Sequence, residues 1–273
     1  MKIGYALGGG AGYGFAHIGV LEVFEKYGIK PDIIAGTSVG SLIGGFYASG
    51  FSAEQIKTLA MQQINWNKLL KFTLPKEGLL SLDGLNEIIE KNIKIKNIEE
   101  TKIKFAVVAT DLCDNKEKIF FNGPISSAIR ASCSIPGIFT PFKDGNHIYV
   151  DGGFVNNLPI KIAFDMGADF VIGVDITAKA FGLQMKQTDI FNIVWKSLQV
   201  IIQRNTLLEN YGALSEKCIV IEPDVSQFNP FDLSKKSEIL QKGREAAEEK
   251  IGLILSRLKE KQTLADKIKS FFK

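Results

Sequence analysis

PDIIAGTSVGSLIGGFYASG, residues Pro31 to Gly50, holds one serine between two glycines, in the run Gly36-Thr37-Ser38-Val39-Gly40. A short apolar run, Ile33 to Ala35, precedes it, and a helix-like run to about Ser49 follows. A G-x-S-x-G segment between strand and helix makes a sharp, strained turn with the serine Oγ at its apex. Gly36 and Gly40 lack the Cβ atoms that would collide where strand and helix crowd together. The Val39 N–H then points at a developing oxyanion. A serine hydroxyl attacks only when a base takes its proton and the oxyanion is stabilised. The rest of the chain must supply both.

On either side of this turn, strand and helix signals alternate. Lys2–Leu7 reads as a strand and Phe15–Tyr27 as an amphipathic helix; Ala53–Gln63 and Leu85–Asn92 have helical spacing of apolar residues. Lys104–Ala109 reads as a buried strand with Ile119–Phe121 its partner, and Ile148–Val150, Phe170–Val174 and Ile219–Ile221 read as further strands. Pro159 opens a helix towards Met166, and Ile190–Leu208 and Ile239–Leu258 are long helices. This order predicts an α/β fold, a mostly parallel sheet covered on both faces, with working groups at the carboxyl ends of its strands. No linker divides residues 1–273, so one domain is expected.

The first strand runs into Gly8-Gly9-Gly10-Ala11-Gly12-Tyr13-Gly14. A dinucleotide fingerprint fails here in every register, and Gly9…Gly14 lacks the Lys-Ser/Thr of a phosphate-binding Walker loop. What remains is a loop of bare N–H groups at a helix N-terminus, suited to a transient anion. For the base, the order Ser…Asp…His is met only by Ser38, Asp111 and His147, since the only other histidine is His17. Asp151, followed by Gly152-Gly153 at the end of another strand, is the second candidate: a desolvated carboxylate touching the hydroxyl is a usable base.

The bulk properties fit a soluble globular chain: 45% hydrophobic, 23% charged, net charge +3. Its dispersed lysines argue against nucleic-acid binding. Cys113, Cys133 and Cys218 match no metal or redox spacing and read as buried free thiols in a reducing compartment. Ile3–Leu21 and Ile33–Ala53 lack acidic and basic residues, but their glycine clusters suit strand–turn–helix transitions better than membrane spans. With no secretory signal pattern, a cytoplasmic location is expected. No His or acidic cluster has metal-ligand spacing, so neither metal nor cofactor is expected.

The glycine loop, the serine elbow and Asp151-Gly152-Gly153, in that order, resemble the patatin-like phospholipase family, its compact bacterial members especially. FAHIGVLEVFEKYGIKPDIIAGTSVGSLIGG, IRASCSIPGIFTPF and DGGFVNNLPI carry the same resemblance, which covers about residues 3–175; a helical C-terminal extension spans about 186–273. The resemblance implies a three-layer α/β/α fold on a mixed sheet. It also implies a Ser38–Asp151 dyad cleaving lipid carboxylic esters, of phospholipase A or lysophospholipase type. The amides of Gly8, Gly9, Gly10 and Val39 would hold the oxyanion, and His17 and His147 would be structural or exposed. Many relatives carry Arg or Lys where this chain has Tyr13. That departure leaves open a weakly active or lipid-binding member of the same fold.

Three stretches suggest contact with lipid. Ile64–Pro75 and Ala180–Trp195 are rich in large apolar residues, and Trp66, Leu69, Leu70 and Phe72 of the first, with Lys68 and Lys71 between them, suit an interfacial lid. In the tail, Leu264, Ile268, Phe271 and Phe272 share one helical face, which suits peripheral membrane contact. The preceding Lys/Glu-rich stretch, Lys235–Gln262, reads as a solvated amphipathic helix.

Overall fold

The computed structural model describes residues 1–63, 71–72, 80–180, 190–208 and 216–271. Five strands are short runs of apolar residues buried on both faces, which parallel pairing inside a layered fold requires. They are β1 (Ile3–Leu7), β2 (Ile33–Thr37), β5 (Lys104–Asp111), β9 (Phe170–Val174) and β10 (Cys218–Ile221). Three more belong to the same sheet: β6 (Lys116–Phe120), β7 (Phe142–Asp144) and β8 (His147–Asp151). The sheet order is β10-β9-β1-β2-β5-β8-β7, with β6 also on β5. Strands β10 to β5 pair in parallel, whereas β6, β7 and β8 pair antiparallel, so the sheet is mixed. Two short strands, β3 (Lys71–Phe72) and β4 (Leu80–Ser81), form a separate ribbon.

Side chains alternate across the pleat into two cores. Tyr5, Leu7, Ile34, Phe105, Val107 and Ile172 face the larger one. There they meet helices α1 (Phe15–Lys26), α2 (Val39–Ala48), α3 (Ala53–Gln63), α4 (Asp83–Asn92) and α5 (Ile125–Ser132). Ala6, Ile33, Ala35, Ala106 and Val171 face the other core, under α6 (Ile160–Asp165). Small residues predominate there: a Cβ on Gly4 would lie 2.9 Å from the Ala168 Cβ and 3.1 Å from that of Ala163. Three layers result.

The last two helices are α7 (Ile190–Leu208) and α8 (Lys236–Phe271). α8 is amphipathic, as read, but its first half is not merely solvated: Ile239, Leu240, Ala247, Ile251 and Ile254 are buried. It crosses α1 at backbone contact, where a Cβ on Gly243 would lie 2.0 Å from the Ala16 carbonyl oxygen. Ile3–Leu21 and Ile33–Ala53 are indeed strand–turn–helix segments, and no helix among the described residues is long and apolar enough to cross a membrane. Of the lid candidate Ile64–Pro75 only the backbone of Lys71–Phe72 is described; the rest of it and residues 181–189 of the second apolar stretch lie outside the described residues, as do the tail side chains from residue 261 onward.

Candidate active site

The site originates in how β5 is shared. One edge of β5 carries β2 as far as Thr37 opposite Val108; from Asp151 opposite Ala109 onward, that edge carries β8. β6 occupies the other edge from Val107 to Asp111. Strands β2 and β8 run in opposite directions, so their carboxyl ends meet head-on. Ser38 is the first residue past β2 and Asp151 the last of β8. The Ser38 Oγ donates to Asp151 Oδ2 at 2.6 Å, and both residues are buried.

Ser38 sits at φ 53°, ψ −126°, a conformation costly for any residue but glycine, which persists only where neighbours over-determine it. Here they do. Its N–H donates to the Ser132 Oγ at 2.7 Å, and the Ser132 hydroxyl in turn donates to the Val108 carbonyl. Its carbonyl accepts from the Ser41 hydroxyl at 2.6 Å and the Ser41 N–H at 2.9 Å. A Cβ on Gly40 would lie 2.1 Å from the Leu7 carbonyl oxygen, and one on Gly152 would lie 2.3 Å from that of Val108. Both glycines are therefore fixed by close backbone approach.

The Asp151 Oδ1 accepts the Gly153 N–H at 2.8 Å. Burial raises its carboxyl pKa to about 6, against the opposing hydrogen bonds from Ser38 and Gly153. The result is a base stronger than an ordinary aspartate, already touching the hydroxyl.

The glycine loop corrects one expectation. The Gly8 N–H donates to the Val174 carbonyl at 3.0 Å and the Gly9 N–H to that of Asn157 at 3.2 Å, so neither is free for an oxyanion. Gly10, Ala11 and Val39 keep N–H groups with no hydrogen-bond partner among the described residues. The buried His17 holds the loop from below: its Nε2 lies 2.8 Å from the Gly8 carbonyl oxygen, and burial lowers its pKa to about 4, so the neutral ring donates. Tyr13 borders the smaller of two cavities at Ser38 and carries a neutral phenol where many relatives carry a cation. It is buried, and its phenol donates to the Phe228 carbonyl at 2.8 Å while the Gly12 N–H donates to that of Pro230 at 3.0 Å.

The other arrangement does not assemble around Ser38. His147 Nδ1 and Asp111 Oδ2 are 2.7 Å apart, but His147 begins β8 and Asp151 ends it, a separation of about 13 Å at strand rise. Asp111, Asp114 and His147 do bring three ligand atoms within 4.8 Å of one another, a grouping that could hold a metal ion and that linear spacing did not reveal. The thiols also differ from expectation: Cys133 and Cys218 are buried, but Cys113 is exposed.

A family model described as patatin-like phospholipase matches residues 5–164, more than half of the chain. The chain belongs to the patatin-like phospholipase family. It is 35% identical over 181 residues to the patatin-like phospholipase domain-containing protein ZK370.4 of Caenorhabditis elegans, covering 64% of this chain and 13% of that protein. Against the neuropathy target esterase sws of Drosophila melanogaster it is 33% identical over 186 residues, covering 64% and 13%. Against lysophospholipase NTE1 of Mycosarcoma maydis it is 29% identical over 276 residues, covering 91% and 15%. The chain thus spans a small fraction of the length of these relatives. VipD from Legionella pneumophila shares the fold, with a TM-score of 0.53 at 13% identity over 91% of this chain and 66% of that one.

Two cavities meet at the serine of this patatin-like fold. The larger, about 110 Å³, is almost wholly apolar, walled by Phe15, Ile18, Leu42, Leu85, Ile135, Phe139, Phe231 and Leu233 among others. The smaller, about 30 Å³, carries the polar groups Asp151, Asn157, Thr177 and Gln199. Ser38 lines both. Sequence reading had no signal for Phe231 and Leu233, which reach the site from the connection between β10 and α8.

Proposed function

We propose that this chain is a serine acyl hydrolase of lipid carboxylic esters, of phospholipase A or lysophospholipase type, working through Ser38 and Asp151. The observation that carries the reading is the 2.6 Å contact between a buried serine hydroxyl and a buried carboxylate at the seam of an apolar and a polar cavity. The names of two relatives, a lysophospholipase and an esterase, support the same class.

The acyl chain lies in the apolar cavity with its carbonyl at Ser38. Oγ attacks the carbonyl carbon as its proton passes to Asp151 Oδ2. The N–H groups of Gly10, Ala11 and Val39 receive the oxyanion. As the tetrahedral species collapses, Asp151 returns the proton to the departing alcohol, leaving an ester on Ser38. Water entering from the polar side loses a proton to Asp151 and attacks that ester; as the second tetrahedral species collapses, Asp151 returns the proton to the departing Ser38 Oγ, and the acid is released.

A fluorophosphonate probe tests the nucleophile. Wild type and His147→Ala should label at equal rates, Ser38→Ala not at all, and Asp151→Asn at least about a hundredfold more slowly. Labelling that survives Ser38→Ala, or vanishes with His147→Ala, refutes the dyad. A phospholipid and lysophospholipid panel read by mass spectrometry then assigns the substrate.

A further inference from the structure

Helix α7 presents two unlike faces. On the inner one, Leu198, Gln199 and Ile202 line the polar cavity beside Asp151. The Asn205 side-chain amide donates to the Phe154 carbonyl at 2.7 Å, and Ile202 Cδ1 would stand 3.4 Å from a Cβ on Gly153. This face therefore roofs the turn that carries the proposed base. On the outer face, Ile193, Val200 and Ile201 are 47%, 54% and 47% exposed. At roughly 100° per residue these three fall within about one quadrant of the helix, opposite the roofing residues. Other exposed large apolar side chains among the described residues are scattered singly.

Charge identifies what this face meets. Within Ile190–Leu208 the charged residues are Lys196 and Arg204, both basic. An apolar stripe beside cations, chief among them the exposed Arg204, complements an anionic lipid surface. The helix is not apolar enough to cross a bilayer, and no helix among the described residues is long and apolar enough to do so.

We propose that the outer face of α7 docks on an anionic lipid surface, the helix lying in the headgroup layer while its inner face stays over the Ser38–Asp151 cavity. Docking places the site against the phase that contains its esters; the choice of substrate rests on the function proposed above, whereas docking itself is read independently of turnover.

The test compares the full chain with Val200→Asp/Ile201→Asp, and with the milder Val200→Ser/Ile201→Ser should the first fail to fold. Co-sedimentation with phosphatidylcholine vesicles doped with phosphatidylglycerol should fall at least about tenfold in the double variant. Thermal melting and turnover of a soluble short-chain ester should stay at wild-type level. Arg204→Glu should weaken binding to doped vesicles and leave the weaker binding to pure phosphatidylcholine unchanged. Wild-type binding with no ester turnover in any form supports docking and defeats the hydrolase reading alone. Docking is overturned if wild type ignores both vesicles, or if the double variant binds as wild type does. A wild-type dimer that the double substitution splits without changing vesicle binding also overturns it, assigning the face to a second copy.

Discussion

At residue 38 hydrogen bonds to the backbone N–H and carbonyl hold an unfavourable conformation so that the side-chain oxygen meets a carboxylate. In the proposed mechanism the serine needs that carboxylate ionised. Because burial sets the Asp151 pKa near 6, the ionised fraction grows tenfold per pH unit below that value and levels off above it. The fluorophosphonate labelling rate should therefore rise with pH to a plateau, with a midpoint near 6, and His147→Ala should trace the same curve. A midpoint that moves when His147 is removed would place an imidazole in the proton path. Ser132 supports the geometry from behind. Ser132→Ala strips the buried Ser38 N–H of its acceptor, a loss of about 1–3 kcal/mol, and should lower both the melting temperature and kcat.

Among the elements, the α1–α8 crossing separates packing from propensity. Gly243 and Gly252 both lie in α8, but only Gly243 touches α1; nothing lies within 4 Å of a Cβ on Gly252. Gly243→Ala drives a methyl into the Ala16 carbonyl and should destabilise by about 1–3 kcal/mol. Gly252→Ala gains helix propensity and should stabilise by about 0.5–1 kcal/mol. Thermal melts of the two variants, shifting in opposite directions, check the pair. Elements of this kind were legible in the sequence where local pattern defines them. Ala53–Gln63 and Phe170–Val174 have the bounds that apolar spacing predicts, and Ser38 and Asp151 stand at strand ends as expected. β7 has only three residues and α5 only eight, too few for a period to declare itself. The Gly8 and Gly9 amides looked free because their acceptors, Val174 and Asn157, are remote in the chain. Likewise, no local signal tells that β2 and β8 share one edge of β5, the arrangement that joins residues 113 positions apart.

For the molecule as a whole, two buried groups pull stability in opposite directions over the same pH range. Folding lowers the His17 pKa from 6.5 to about 4, so between those values the unfolded chain binds the extra proton and stability rises with pH. Folding raises the Asp151 pKa from 3.8 to about 6, so there the native chain binds the extra proton and stability falls with pH. Each shift is about two units, on the order of 3 kcal/mol when complete, and the two contributions largely cancel between about pH 4 and 6. Asp151→Asn removes one of them. Its stability relative to wild type should be lowest near pH 4 and climb by up to about 3 kcal/mol towards pH 7, because the wild type alone must bury a charge as the pH rises. Urea titrations of both proteins across that range measure the difference, in which every other titrating group drops out. A difference independent of pH would mean that Asp151 ionises in the fold as it does in water, and the proposed proton acceptor would lose the desolvation that strengthens it.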